Sequence, residues 1–273
     1  MSLDDVNKRG LVLLGCGKMG SAMLEGSLAK GIAPSAVTVI DPYPSRRLEE
    51  LSAQGLHLNP TDVGDPAVCV LAVKPQMMED ALPQIGDMAA GGTMFLSIAA
   101  GTPISFFERM LGPKAVIVRA MPNTPAAIGR GITAIVGNAN AGQTVLDLAD
   151  ELLQAISQTV HLDNEGQMDA VTAVSGSGPA YVFHLIETLA AAGVAEGLPA
   201  DLAMQLAKAT VGGAGLLAQE ADEAPDQLRI NVTSKGGTTA AALEVLMNEE
   251  DGFRPLLRRA VKAAADRSRE LGN

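Results

Sequence analysis

The chain has 273 residues, of which 47% are hydrophobic and only 3% aromatic, with 29 Gly and no Trp. That length supports one large domain or two ordinary ones around a substantial apolar core. A formal net charge of -11 excludes nucleic acid, which requires a basic face, and an anionic membrane surface as leading partners.

Cys16 and Cys69 each sit inside an apolar run, the pattern of two buried thiols in a reducing compartment rather than of a disulfide. His57, His161 and His184 include no pair at ligand spacing, so no metal site is expected. The polar, acidic start MSLDDVNKRG is not the pattern of a signal peptide, and the apolar runs are too short or too interrupted to span a bilayer. These features predict a cytoplasmic protein with no membrane partner.

In chain order, the first half alternates short apolar runs with helix-compatible segments. Strands are predicted at 11–14 (LVLL), 37–40 (VTVI), 68–73 (VCVLAV), 93–98 (TMFLSI), 116–119 (VIVR) and 132–136 (ITAIV). Helices are predicted over 19–30, 45–53, 77–88, 104–111 and 143–156, with 159–162 (TVHL) as a last edge strand. Continuous apolar strands alternating with helices specify an α/β fold, a doubly wound parallel sheet covered on both faces. After about residue 164 the strands vanish and Ala/Leu/Gly-rich stretches follow at 167–174, 180–196, 199–220, 239–248 and 254–271. This half reads as all-helical. Its helices are more apolar than a small isolated bundle needs, which burial against a second copy of the chain accounts for. The predicted division is 1–164 for the sheet domain and 165–273 for a helical dimerisation domain.

The chemistry concentrates at the ends of the strands. Gly15-Cys16-Gly17-Lys18-Met19-Gly20 follows the first strand and opens a helix. In a dinucleotide site the first Gly makes the tight turn and the second lets backbone approach a pyrophosphate. The third lets helix and strand pack closely, and the helix start presents N–H groups to the anion. Asp41 ends the second strand 21 residues after Gly20 (41 − 20), where an acid accepts from the ribose hydroxyls. Ser45, Arg46 and Arg47 follow and offer a 2′-phosphate partner, so these residues leave NAD and NADP both open. Ala72-Val73-Lys74-Pro75 makes a stiff turn after the third strand, and Ile98-Ala99-Ala100 closes the fourth with small residues suited to a flat ring. In the helical half, SGSGPAY at 175–181 interrupts an apolar run. Ser234-Lys235-Gly236-Gly237-Thr238-Thr239 precedes an Ala-rich helix, with Thr hydroxyls at the cap and free N–H groups sized for a carboxylate. No Ser-His-Asp, Cys-His or HExxH arrangement is present, which favours hydride chemistry on an electrophilic C=N bond.

The segments GCGKMGSAM, AVKPQ, SIAAG, MPNTPA, AVSGSGPAYVF and NVTSKGGTTAAALEVL, in this order, resemble the pyrroline-5-carboxylate reductase family, over about residues 11–271. The resemblance implies an N-terminal Rossmann-like doubly wound sheet and an all-helical C-terminal domain forming a homodimer, with a decamer of five dimers as the larger assembly. It implies reduction of L-1-pyrroline-5-carboxylate to L-proline, with NADPH as cofactor and NADH as the alternative. It further implies that Asn59 and the 72–75 turn contact the adenosine side, and that 98–100 lies near the nicotinamide. Glu165 and Thr172 would face the substrate ring nitrogen, with the Thr172 hydroxyl orienting or protonating it. Ser234, Thr238 and Thr239 would hold the substrate carboxylate. Lys235 stands where many members carry Pro, and Asp41 where many carry Ser or Asn. A β-hydroxyacid dehydrogenase shares this layout, but Lys208, Lys235 and Lys262 lack that class's GxxGxxxKxxxN setting. A non-catalytic nucleotide sensor would have little use for the 234–239 turn.

Overall fold

The computed structural model describes residues 1–272, which divide into two compact units: Met1–Gly176 with the chain end from Ala265, and Ser177–Ala264. The first unit contains eight strands: β1 (Leu11–Leu14), β2 (Val37–Ile40), β3 (His57–Leu58), β4 (Val68–Leu71), β5 (Met94–Ser97), β6 (Val116–Met121), β7 (Gly131–Gly137) and β8 (Ser157–His161). They form one sheet in the order β3-β2-β1-β4-β5-β6-β7-β8. Every pairing is parallel except β6 with β7. The segment joining those two is too short for a crossover helix, so the chain turns back on itself. The helices of this unit are α1 (Leu3–Arg9), α2 (Lys18–Ala29), α3 (Arg46–Ser52), α4 (Met78–Ala81), α5 (Ile104–Leu111), α6 (Gln143–Leu153) and α7 (Met168–Val171).

The continuous apolar strands are explained by what covers them. Leu11 and Leu13 of β1 face one core with Met23 and Leu24 of α2, Leu48 of α3 and Leu152 of α6. Val12 and Leu14 face a second core with Met78, Leu82, Ile85 and Phe107. Both faces of the strand are therefore dry, which favours branched apolar residues at every position. Each such side chain contributes about 1.5–3 kcal/mol by leaving water. From β1 the chain winds outward to β2 and β3, then returns to β4 on the other side of β1. The β1/β4 boundary is thus a topological switch point, where doubly wound sheets open a crevice at the strands' C-terminal ends.

Four local features depart from expectation. The helix expected over 77–88 is broken into a 3₁₀ turn at Pro75–Met77, the single turn α4, and a 3₁₀ stretch over Leu82–Gly91. Pro83 explains the break, since its ring displaces the carbonyl of residue i−4 and it has no N–H to donate. Helix α1 lies outside the predicted elements, although Ser2 and Asp5 form a complete capping box at its start. The two-residue edge strand β3 carries too little sequence for periodicity to reveal. Thr172–Gly176 is a π-helical turn rather than a continuation of α7, a form found often at functional sites.

The second unit contains α8 (Gly178–Ala195), α9 (Ala200–Glu220), α10 (Pro225–Asn231), α11 (Thr238–Leu246) and most of α12 (Phe253–Leu271). Helices α8 and α9 pack through small residues, Ala190 against Ala203 and Ala207. A Cβ on Gly193 would lie 3.3 Å from that of Ala203. Large apolar side chains meanwhile face outward: Phe183 is 58% exposed, Leu217 56% and Val245 71%. A unit of this size that buries alanines and displays leucines is short of its own core. Among the described residues no helix is long and apolar enough to cross a membrane.

Candidate functional site

The 15–20 loop leaves β1 at the switch point. Gly15 has φ +87, a left-handed conformation that favours glycine. Its N–H donates to the Ile40 carbonyl at 2.8 Å, and a Cβ there would meet Val73 Cγ1 at 2.8 Å and Val73 N at 3.0 Å. Gly20 packs on the carbonyl of Gly15, which an added Cβ would approach to 2.8 Å. Gly17, the N-cap of α2, is different: a Cβ there would meet nothing within 4 Å. The first and third glycines are therefore required by internal packing, and the second opens onto free space. That free space at a helix N-terminus, whose first N–H groups lack intrahelical partners, fits the pyrophosphate of a dinucleotide.

Cys16 and Asp41 complete the loop. The Cys16 N–H donates to Asp41 Oδ2 at 2.7 Å, and the Tyr43 N–H donates to Asp41 Oδ1 at 2.8 Å. The Asp41 peptide is held from behind by Asn59, which accepts from its N–H and donates to its carbonyl, both at 2.8 Å. Asn59, expected on the adenosine side, thus sits beside the carboxylate that ends β2 and braces it, at φ +49. Burial raises the Cys16 thiol, with the Ser21 hydrogen bond opposing and Asp41 adding to the rise, and burial pushes Cys69 up much further. Both stay protonated near neutrality, so the loop's cysteine contributes its backbone rather than a nucleophile.

The other strand ends gather along the same edge. The Ala72 N–H donates to the Leu14 carbonyl at 2.8 Å, which sets the 72–75 turn against the glycine loop. Ile98 and Ala99 follow β5, the latter buried with its N–H on Ser97 Oγ at 3.3 Å. Arg46 and Arg47 begin α3, and both are paired: Arg46 with Glu50 at 3.1 Å, Arg47 with Glu25 at 2.7 Å.

Glu165 and Thr172 belong to the same unit. Glu165 Oε1 accepts from Arg119 Nη1 at 2.6 Å and from the Ile104 N–H at 2.8 Å. Arg119 is a buried cation on β6, overlooked in the sequence although an Arg inside VIVRAM marks a charge that needs a partner. Thr172 donates its hydroxyl to the Met168 carbonyl at 2.9 Å, and Ser175 donates to Val171 at 3.2 Å. In the second unit, Gly236 has φ +71 and the Gly237 N–H closes a turn on the Ser234 carbonyl at 3.0 Å. Helix α11 then starts at Thr238 with Gly237 as its N-cap. The expectation of Thr hydroxyls at the cap is corrected: they lie one and two residues inside it, and the cap has no side chain. That leaves the first N–H groups of α11 without a side-chain partner at the cap. Among the described residues no cluster of His, Cys, Asp and Glu is arranged to hold a metal.

Two family models match the chain. One, described as pyrroline-5-carboxylate reductase dimerisation, covers residues 165–271, and another, NADP oxidoreductase coenzyme F420-dependent, covers residues 10–101. The pyrroline-5-carboxylate reductase of Pseudomonas aeruginosa is 36% identical over 96% of both chains. That of Synechocystis sp. is 40% identical over 96% of this chain and 98% of its own. Among solved structures, the Coxiella burnetii pyrroline-5-carboxylate reductase superposes with a TM-score of 0.89 at 32% identity, covering 97% and 99% of the two chains. The Plasmodium falciparum pyrroline carboxylate reductase with NADP bound gives 0.83 at 30% identity, covering 98% and 99%.

Proposed function

The chain belongs to the pyrroline-5-carboxylate reductase family, and from that membership we infer that it reduces the C=N bond of L-1-pyrroline-5-carboxylate to give L-proline, the last step of proline synthesis, at the expense of NADPH or NADH. The observation that carries this reading is likeness to such reductases along 96% of the chain, joined to a glycine loop whose one open position lies at a helix start.

Residues 15–20, Asp41, Asn59, the 72–75 turn and 98–100 hold the dinucleotide. Arg46 is the most exposed cation at the adenosine end. When bound, the reduced nicotinamide supplies a hydride to the imine carbon. The protein's own part is to bind and orient a substrate that is already electrophilic once its nitrogen is protonated. Thr172 donates its hydroxyl hydrogen to the Met168 carbonyl, which leaves its oxygen to accept from the iminium N–H. Glu165 Oε2, outside the two bonds made by Oε1, adds negative potential toward the same cation, while Arg119 holds the carboxylate still. Ser234, Thr238 and Thr239, with the first N–H groups of α11, take the carboxylate of a substrate from across the homodimer, as a helix start takes an anion. The exposed apolar surface of the second unit and the match to a dimerisation model support a homodimer; five dimers as the larger assembly follow from the family resemblance alone, and light scattering measures both. Two free, buried thiols support a cytoplasmic setting.

The decisive experiment mixes purified protein with NADPH or NADH and DL-pyrroline-5-carboxylate and follows reduced-nicotinamide absorbance. Substrate-dependent oxidation is expected. A folded sample that binds nucleotide and turns over neither mixture overturns the assignment. Thr239→Val is expected to raise the substrate KM roughly 5- to 150-fold, corresponding to about 1–3 kcal/mol for a lost hydrogen bond to a charge. The nucleotide KM should stay constant. An unmoved substrate KM removes Thr239 from the carboxylate site.

A further inference from the structure

Glu25 has no part in the dinucleotide contacts described so far, yet its carboxylate reaches the place where cofactors of this kind are told apart. It lies on α2, five residues beyond Gly20 (25 − 20). Arg47 Nε donates to Glu25 Oε1 at 2.7 Å and Arg47 Nη2 to Oε2 at 3.1 Å, a fork-to-fork pair that uses both carboxylate oxygens. Both side chains are about half exposed, 49% and 47%. Arg46 is paired in turn with Glu50, but at 91% exposure it is free to swing. Just beyond the C-terminal end of β2, where a doubly wound fold receives the adenosine ribose, two arginines are thus offset by three carboxylates: Asp41, Glu25 and Glu50. A ribose 2′-hydroxyl donates to a carboxylate there, whereas a 2′-phosphate needs a guanidinium and is repelled by the acids.

We propose that Glu25 is a specificity-determining residue of the dinucleotide site, a positioning group that withholds Arg47 from a 2′-phosphate and so keeps NADH competitive with NADPH. The inference rests on the dinucleotide-site reading above. Hydrogen bonding from Arg47, against the opposing effect of burial, holds the Glu25 carboxyl below the usual carboxylate range, so the pair stays ionised across neutral pH. Because the pair is half exposed, it yields to a competing anion at a modest cost. Its effect is therefore a shift in ratio, not a block, and weakens as salt screens it.

The test uses nucleotide affinity, read from reduced-nicotinamide fluorescence in the whole protein without imine substrate. Kd for NADPH and for NADH is measured in the unaltered chain, Glu25→Gln, Arg47→Ala and the double variant, with thermal unfolding to show that each is folded. Glu25→Gln is expected to tighten NADPH roughly three- to tenfold and leave NADH unchanged. In the Arg47→Ala background the same change should have no effect on the NADPH to NADH ratio. A ratio unmoved by Glu25→Gln overturns the proposal. A ratio that moves equally without Arg47 also overturns it, because Glu25 then acts through its own charge. If the unaltered chain binds neither nucleotide, the dinucleotide reading fails first and this inference with it.

Discussion

Glu165→Ala is expected to destabilise the protein by about 2–3 kcal/mol, below the range for a fully buried ion pair because the Glu165 side chain is 30% exposed. The Arg119 side chain is only 7% exposed, and its partner is Glu165 Oε1 at 2.6 Å. Without that carboxylate a guanidinium is left in the sheet with water largely excluded, and the Ile104 N–H that starts α5 loses its acceptor as well. Most of the loss should come from the stranded charge rather than from the attraction itself. The double variant Arg119→Leu/Glu165→Leu is therefore expected to be more stable than Glu165→Ala alone. Urea unfolding of the two variants beside the parent decides the point. A single variant within about 1 kcal/mol of the parent means that the pair behaves as a surface pair.

The second large effect separates two glycines of one loop. Gly15→Ala places a Cβ against Val73 side chain and backbone at a residue with φ +87. It should cost about 1–3 kcal/mol of stability and at least tenfold in nucleotide affinity, since 72–73 must move. Gly17→Val meets nothing within 4 Å at its Cβ, so the stability cost should be no more than about 1 kcal/mol, that of an apolar residue replacing glycine as the α2 N-cap. Nucleotide affinity should nonetheless fall by roughly 30-fold or more, because the new side chain occupies the approach to the α2 N-terminus. Urea midpoints and nucleotide titrations of the two variants give the contrast. If Gly17→Val binds nucleotide like the parent, the pyrophosphate lies elsewhere.

What was legible in the sequence was whatever a spacing rule or a continuous environment imposes. Strands β1, β4 and β5 are buried on both faces, so their apolar runs announce them. The glycine loop is legible because the turn, the open approach and the close packing each demand glycine at a set interval. The π turn at Thr172–Gly176 is not, since it depends on how α7 ends rather than on composition. The two ion pairs are harder still. Arg47 and Glu25 are 22 residues apart, Arg119 and Glu165 46, and no periodicity links such positions. Only the sheet, by setting α2 beside α3 and the end of β8 near β6, creates the pairing. Charge partners are products of topology, and a linear reading finds the charge without its mate.

The sparse interior of the second unit has a thermodynamic corollary. Ala190, Ala203 and Ala207 are its buried apolar cluster, while Phe183, Leu217 and Val245 wait for a counterpart surface. A unit completed by association is governed by mass action: its folded fraction, and the melting temperature it reports, rise with protomer concentration. Dilution then does more than separate subunits. It withdraws solvent exclusion from the segment around residues 234–239, so loss of partner and loss of the turn proposed to take the substrate carboxylate become one event.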